Sequence, residues 1–435
     1  MMVTVEATGK LTRRMRVELP AERVEKEIES RLKKVGRTAK IKGFRPGKIP
    51  VKVVRQRYGG QIRQEVLSEL MQKSYSDAVI QENLQPAANP RIEPEQTDSG
   101  KDFAYVATFE VLPEIALADL DKIEVQKPEV DIVDADVDEM IENLRKQKAT
   151  FETVERAAAD GDRVIVDFDG TLKGEPIKGG KGKEVPVILG QGQMLADFEA
   201  GLKGLKAGEE KSFKVKFPKD YGSSGGAEDL AGKKVDFAVK VHRVEEEKLP
   251  PLDDSLAELY GVEEGGLPQL REDVLANMRR EADDKVRADV KEQVMTGLIE
   301  HHPIEIPASL VHQEMHSRQH EAMRRLGVED HDKAPAIEKF RPGAERSVRL
   351  GLLLQQLVRD KEITLEPARL RRKVEEMCSG YERADEMVAS YLSNAQIMQQ
   401  LEPLVLEEQA VEWLLEQGKV TTKKVGFGPY MKPQA

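Results

Sequence analysis

The sequence predicts an α+β protein of several domains, and three observations lead to that prediction. The chain has 435 residues, and at about 100 to 200 residues per domain this length favours about three domains. Glycines concentrate in the middle: 15 of the 33 lie within residues 150–245, and only 11 lie within 249–435. Alternating apolar residues, typical of strands, recur before residue 249, whereas helical spacing dominates after it.

Residues 1–112 combine strand and helix patterns, so we expect an N-terminal α+β domain there. Pro20 favours a helix start at that position, because proline fits the first turn of a helix. Two glycines and two prolines in residues 43–50 exclude a continuous helix. We expect a strand at residues 15–19, a helix from residue 20, a loop at 43–50, a second helix at 51–83 and a closing strand at 103–111.

Residues 113–149 are rich in Asp, Glu and Lys, which predicts a linker ending in a helix near 134–148. The next segment, 150–248, shows four strand patterns and one short helix near 194–205. Strands with one short helix and many glycine turns predict a curved antiparallel sheet wrapped on that helix. The four strands are expected at residues 164–168, 185–189, 213–217 and 235–241.

Residues 249–435 predict an all-α domain. Apolar residues at helical spacing run from Leu270 to Val294, and His302 and Pro303 are expected to end that helix. Because these long, charged helices have narrow apolar stripes, we expect protruding arms with a half-exposed inner face. Further helices are predicted at residues 307–326, 338–361, 366–379, 384–399 and 402–417.

Charge is distributed unevenly along the chain. The formal net charge is −11, yet residues 1–60 carry 17 Lys and Arg against 6 Asp and Glu. Residues 31–60 contain 11 basic residues and no acidic one. Such a chain attracts a polyanion at one end and repels it elsewhere. A solvated basic helix face is the alternative interpretation of the same residues.

Several classes of protein are excluded or disfavoured. No apolar run approaches the about 18 residues that a membrane-spanning helix needs. The first residues lack the apolar core of a secretory signal, so we expect a cytoplasmic protein. The single cysteine, Cys378, permits no intrachain disulfide.

No motif for a cofactor or a metal is present. The segment from Gly190 to Leu195 lacks the third glycine of a dinucleotide loop, and no nucleophile elbow occurs. His312, His316 and His320 stand one helical turn apart. Their order is not the zinc-protease pattern, and a third converging ligand is not evident. We therefore expect no cofactor and no catalytic metal.

Five motifs, read in chain order, carry a resemblance to a known family. They are Gly43 to Lys48, Val166 to Gly170, Gly190 to Gly192, Phe198 to Gly204 and Ala207 to Glu210. Over the whole chain this pattern resembles bacterial trigger factor, and its middle motifs are similar to those of FKBP-type peptidyl-prolyl isomerases.

The resemblance implies a function and an architecture. The function is that of a ribosome-associated chaperone that meets nascent chains at the tunnel exit, assists folding and export, and isomerises prolyl bonds. The architecture is an N-terminal docking domain over 1–112, a linker over 113–149, an FKBP-like domain over 150–248 and a helical client-binding domain over 249–435. The implied partners are ribosomal RNA, a tunnel-exit ribosomal protein, and nascent or unfolded polypeptides, with weak homodimerisation off the ribosome.

The same resemblance implies two sites. The ribosome-binding loop would consist of Gly43, Phe44, Arg45, Pro46, Gly47 and Lys48. The isomerase pocket would be formed by six apolar or aromatic residues: Phe168, Met194, Leu195, Phe198, Tyr221 and Phe237.

Two alternatives remain open. Ile177 and Val185 stand where the family usually has Phe, and Lys178 where an acidic residue is common. These departures motivate a holdase chaperone with an inactive isomerase head. The basic segment motivates an RNA-binding scaffold, although only Phe44 and Tyr58 interleave with its basic residues.

Overall fold

The fold is described from a computed structural model of the chain. It describes residues 1–39, 44, 49–192, 194–218, 221, 230–328, 330, 333–378, 381 and 383–432, apart from the side chain of Lys178. The chain forms two compact units. Unit 1 comprises residues 1–127 and 287–422, and unit 2 comprises residues 128–286 and 423–435.

The described chain contains both strands and helices. The strands β1 to β11 are Met2–Ala7, Thr12–Leu19, Arg91–Gln96, Phe103–Glu110, Glu124–Asp131, Thr150–Val154, Arg163–Leu172, Glu175–Ile188, Glu210–Lys216, Lys234–Lys248 and Lys419–Gly426. The helices α1 to α12 are Ala21–Thr38, Val51–Gln81, Asp134–Gln147, Ala196–Leu202, Asp254–Glu258, Gly266–His301, Ala308–Leu326, Arg341–Asp360, Pro367–Cys378, Ala384–Ser393, Ala395–Gln417 and Phe427–Met431. This content confirms the predicted α+β class.

The first part of unit 1 is a four-stranded antiparallel sheet with the order β1-β2-β4-β3. Alternate residues of β2, namely Met15, Val17 and Leu19, are fully buried, because successive side chains of a strand point to opposite faces. Helix α1 buries Val24, Ile28 and Leu32 in the same core. The helices thus cover the sheet face that the alternation of β2 predicts.

The helices of unit 1 agree with the sequence except at one boundary. Helices were expected at residues 384–399 and 402–417, but the break between α10 and α11 lies at Asn394, and α11 runs through Pro403. The prediction was wrong because Asn394 caps α11: its side chain accepts hydrogen bonds from the backbone N–H groups of Gln396 and Ile397. The strong cap sets the start of the helix, and the interior proline is accommodated.

Unit 2 contains a five-stranded antiparallel sheet built around the long strand β10. One edge of β10 pairs with β7, which in turn pairs with β8. The opposite edge pairs with β9 in its first half and with β6 in its second half. Helix α4 contributes Phe198 and Leu202 to the core of this sheet. The predicted sheet wrapped on one short helix is therefore confirmed.

A second core of unit 2 involves the segment that was expected to be a linker. Val137 and Ile141 of α3 are buried against Leu256, Leu270 and neighbouring residues of α5 and α6. The segment 113–149 also contains β5, which pairs with β11. The C-terminal region is therefore helical with one added strand, and the domain boundaries at 112, 149 and 248 remain a prediction.

None of the described helices combines the length and the apolar character that spanning a lipid bilayer requires.

Glu110 joins the two parts of unit 1. It ends β4, and its two carboxylate oxygens accept hydrogen bonds from the backbone N–H groups of Ala308 and Ser309 at 3.1 and 2.7 Å. These groups begin α7, where a negative charge is favoured by the helix dipole. Burial tends to raise the pKa of Glu110, but the hydrogen bonds from Ser309 and Ala308 outweigh it and lower that pKa.

We expect the Glu110→Gln substitution to destabilise unit 1 by about 1 kcal/mol, the usual range for a lost helix cap. Because folding lowers the pKa of Glu110, its contribution is complete at neutral pH and is lost as the pH falls through the folded-state pKa. The difference from the wild type should therefore shrink at acid pH. Urea unfolding followed by the fluorescence of the single tryptophan, Trp413, measures it.

The exposed carboxylate Glu114, four residues further along, provides the matched control as Glu114→Gln. An equal loss of stability in both variants would contradict the role of Glu110 as a cap.

Candidate active site

An aromatic cluster lies between the sheet of unit 2 and helix α4. Phe198 of α4 is at its centre, with ring centroids 5.6 Å from Phe168, 5.3 Å from Phe237 and 5.6 Å from Phe213. The planes are steeply inclined, at 80°, 81° and 63°, which is the edge-to-face arrangement that aromatic rings prefer. Phe198 is only 4% exposed, whereas Phe168 is half-buried. The cluster therefore has a buried base and a partly open rim.

Glycines make room for these rings. A Cβ atom at Gly170 would lie 2.7 Å from the ring of Phe237, and one at Gly182 would lie 2.6 Å from that of Phe168. Phe213 similarly occupies the space beside Gly201. A side chain at any of these positions would displace an aromatic ring, because real Cβ contacts are not that short.

Aliphatic side chains continue the wall of the cluster. Met194, Leu195, Ile177 and Val185 are half-buried and pack against the same core. Ile177 and Val185 therefore lie in the same apolar core as the rings. The wall is apolar throughout its described part.

Glu199 positions the loop that carries Met194. Its carboxylate accepts hydrogen bonds from the backbone N–H groups of Gly190 and Met194 at 2.9 and 3.2 Å. Gly190 has φ +87°, a conformation that favours glycine. Glu199 lies in one of the five motifs, but its contacts with Gly190 and Met194 could not be predicted from the sequence, because they depend on the folded position of the loop.

Tyr221 lies apart from the ring cluster. It is 38% exposed, and its ring packs edge-to-face on Phe217, with centroids 4.7 Å apart. Phe217 is buried in the same core. Phe213 and Phe217 could not be recognised from the sequence as neighbours of the pocket, because their alternation with polar residues is equally typical of any buried strand.

The opposite face of the sheet is charged. Asp167 accepts a hydrogen bond from the backbone N–H of Glu184 at 2.7 Å, and its other oxygen lies 3.0 Å from Nε2 of His242. The hydrogen bond from Glu184 contributes most to the lowered pKa of Asp167, followed by that of His242. This ionised side chain fixes β7 against β8 on the face away from the rings.

Five of the six expected ribosome-binding residues, Gly43, Arg45, Pro46, Gly47 and Lys48, lie outside the described residues. Phe44 is described, and its side chain is 40% exposed.

Residues 31–60 contain no acidic residue, but carboxylates from outside this segment pair with several of its basic side chains in the fold. Arg31 pairs with Glu69, Lys33 with Glu29 at 3.6 Å, and Arg55 with Glu25 at 3.5 Å. Among the described residues of the segment 31–60, four exposed cations form no ion pair: Lys34, Arg37, Lys52 and Arg57.

Comparisons with known proteins bear on the whole chain. Residues 1–144 match the family described as "Bacterial trigger factor protein (TF)", and residues 266–416 match its C-terminus. Residues 154–242 match "FKBP-type peptidyl-prolyl cis-trans isomerase". The chain is 46% identical over 434 residues to "Trigger factor" of Thioalkalivibrio sulfidiphilus, covering all of this chain and 99% of that protein. The chain belongs to the bacterial trigger factor family.

A second trigger factor, from Alkalilimnicola ehrlichii, is 46% identical over 437 residues and covers 100% of this chain and 96% of its own. A solved structure described under "Promiscuous Substrate Recognition in Folding and Assembly Activities of the Trigger Factor Chaperone" has a TM-score of 0.51 at 22% identity. It covers 96% of this chain and 99% of its own, and it supports the fold. Like the family, this chain is a chaperone with a peptidyl-prolyl cis-trans isomerase domain.

We expect the Phe198→Leu substitution to lower kcat/KM for prolyl isomerisation at least about tenfold, equivalent to about 1.4 kcal/mol. Leucine preserves most of the volume, so the domain should stay folded, but it removes three ring contacts of about 0.5 to 1.5 kcal/mol each. A proline-limited refolding assay measures the rate, and circular dichroism checks the fold.

Phe151 provides the matched control for this experiment. It lies in β6 of the same sheet, beneath the guanidinium of Arg163 at 3.9 Å and away from the cluster. The Phe151→Leu variant should retain the wild-type rate. Equal rates for both variants would mean that the ring cluster is an ordinary core.

Proposed function

We propose that this trigger factor family member docks on the ribosome in the cytoplasm and isomerises prolyl bonds of nascent chains in the aromatic pocket. The pocket comprises Phe168, Met194, Leu195, Phe198 and Phe237, and we assign to it Tyr221, which packs on the neighbouring Phe217. The observation that carries the proposal is the position of Phe198, which contacts three other rings beneath a half-buried Phe168.

The chemistry of this pocket needs no nucleophile. Amide resonance sets a barrier of about 18 to 20 kcal/mol to rotation of the peptide bond. The twisted amide has lost that resonance and is less charge-separated than the planar one, so an apolar surface that excludes water favours it. Phe198 and Phe237 offer such a surface because both are buried among apolar neighbours. The exposed hydroxyl of Tyr221 can donate a hydrogen bond to a substrate carbonyl.

Ribosome docking is assigned to the loop from Gly43 to Lys48. Arg45 and Lys48 would bind phosphates or an acidic protein surface, because guanidinium and ammonium groups replace counterions there. The exposed ring of Phe44 would bury or stack. The unpaired cations on α1 and α2 support this assignment, since they extend the positive surface on both sides of the loop.

Client binding is assigned to exposed apolar side chains of the helices in unit 1. Eight of the 14 methionines lie beyond residue 250, but Met278, Met295, Met315 and Met323 are buried and serve as core. Among the described residues 287–418 of unit 1, the exposed large apolar side chains on the helices and their connections are Leu326, Met377, Tyr381 and Leu404. Exposed apolar groups of this size support transient contact with unfolded chains.

Replacing Phe44, Arg45 and Lys48 with alanine should abolish co-sedimentation with salt-washed ribosomes and leave isomerase activity unchanged. Wild-type binding should fall steeply with salt concentration, because each phosphate contact releases a counterion. A double variant, Arg91→Ala with Lys101→Ala, removes exposed cations from the same domain and should bind normally. Undiminished sedimentation of the triple variant would refute the docking assignment.

Removing residues 150–248 should eliminate isomerase activity and preserve suppression of client aggregation. Thr150 and Lys248 are direct partners across β6 and β10, so a short Gly-Ser linker can join Ala149 to Leu249. Light scattering of an unfolding client measures protection. Loss of all protection while circular dichroism shows intact helices would place client binding in the removed domain.

A further variant tests the proposed client-binding side chains directly. Changing Leu326, Met377, Tyr381 and Leu404 to serine should weaken protection severalfold. The matched control changes Leu252 and Leu259 of unit 2, which are equally exposed at 53% and 50%. An equal loss in both variants would contradict a localised client surface.

A further inference from the structure

Two exposed histidines on α7 face each other across one helical turn. His312 and His316 are four residues apart, so their side chains lie on the same helix face. Their Nε2 atoms are 3.2 Å apart, and the ring planes meet at 85° with centroids 4.6 Å apart. One ring can donate its N–H to the ring nitrogen of the other.

The packing of α7 fixes the outward position of this pair. Val311 and Met315, on the other side of the helix, are buried against Ala344 of α8. Neither histidine forms an ion pair with any carboxylate in the part of the chain that the structure describes. The acidic group that His312 influences is Glu338, whose carboxylate accepts a hydrogen bond from Arg341 at 2.8 Å. The two imidazoles are therefore not engaged by a neighbouring acid.

We propose that His312 and His316 form an open site for a divalent transition metal of the zinc and copper class. In a tetrahedral complex, metal–nitrogen bonds of about 2.0 to 2.1 Å place two ligand nitrogens roughly 3.4 Å apart. The observed 3.2 Å between the Nε2 atoms needs little adjustment to reach that geometry. Imidazole is a preferred ligand of zinc, copper and nickel.

This site differs from a structural or catalytic zinc centre. Among the described residues, no group of three or more His, Cys, Asp or Glu side chains could hold a metal. The two histidines would therefore supply two ligands, and water would complete the coordination. The site is unrelated to prolyl isomerisation, which the apolar pocket performs without a metal.

His320 offers a matched control on the same helix. It lies one further turn along α7 and is exposed like the other two. Within the described residues, no ring contact or hydrogen bond joins it to His316. Removing it deletes an exposed imidazole from α7 without disturbing the facing pair.

The test is isothermal titration of the full-length protein at neutral pH with zinc chloride and, separately, with copper chloride. We expect one site, tighter for copper than for zinc. His312→Ala and His316→Ala should each raise the Kd at least about tenfold, because each removes one of the two ligands. His320→Ala should leave the Kd unchanged. Binding that is equal in wild type, His312→Ala and His316→Ala, or that depends equally on His320, would overturn the proposal.

The pH dependence gives a second readout. Only the neutral imidazole binds a metal, so uptake should be largely lost at about pH 5. Binding to surface carboxylates would persist at that pH, since they remain ionised. Retention of full affinity at about pH 5 would therefore also overturn the histidine site.

Discussion

The architecture depends on one pairing, that of β6 with the end of β10. Thr150 and Lys248 are partners in this antiparallel ladder, so the chain enters and leaves the isomerase domain at adjacent points. Because of this closure, the domain can carry its own core without interrupting the packing of the segments around it. Helix α3 before the domain and helices α5 and α6 after it share a separate core around Ile141 and Leu256. The core of the isomerase domain is therefore distinct from the core that the helices on either side of its insertion point share.

Long, periodic elements were predictable from the sequence, and the short edge elements were not. The helices α1, α2 and α7 and the strand β10 bury apolar residues at regular spacing, and β4 and β7 bury runs of consecutive apolar residues; the sequence displays both patterns directly. In contrast, β1 and β3 lie at sheet edges, and β11 is almost wholly exposed. Such strands bury few side chains, so their alternation carries little signal. The end of α10 was also missed. Asn394 caps α11 and therefore separates the two helices earlier in the chain than the apolar spacing indicates.

The rings of the candidate pocket could be expected from the sequence as a group, but not in their arrangement, and their role in catalysis stays a prediction. Phe168, Phe198 and Phe237 lie together in the fold, on β7, α4 and β10. Phe213 joins them only because β9 pairs with β10. Likewise, the ion pair between Arg31 and Glu69 links residues 38 positions apart. Contacts of this kind depend on tertiary packing, which periodicity and composition do not encode.

The glycines beneath the rings have a consequence for how the family can vary. Gly170 and Gly182 leave no space for a methyl group while Phe237 and Phe168 keep their positions. A relative with alanine at either position should therefore carry a smaller or differently placed side chain opposite it. Each glycine and the aromatic residue opposite it should covary as a pair, so a change in the shape of the pocket requires two coordinated substitutions.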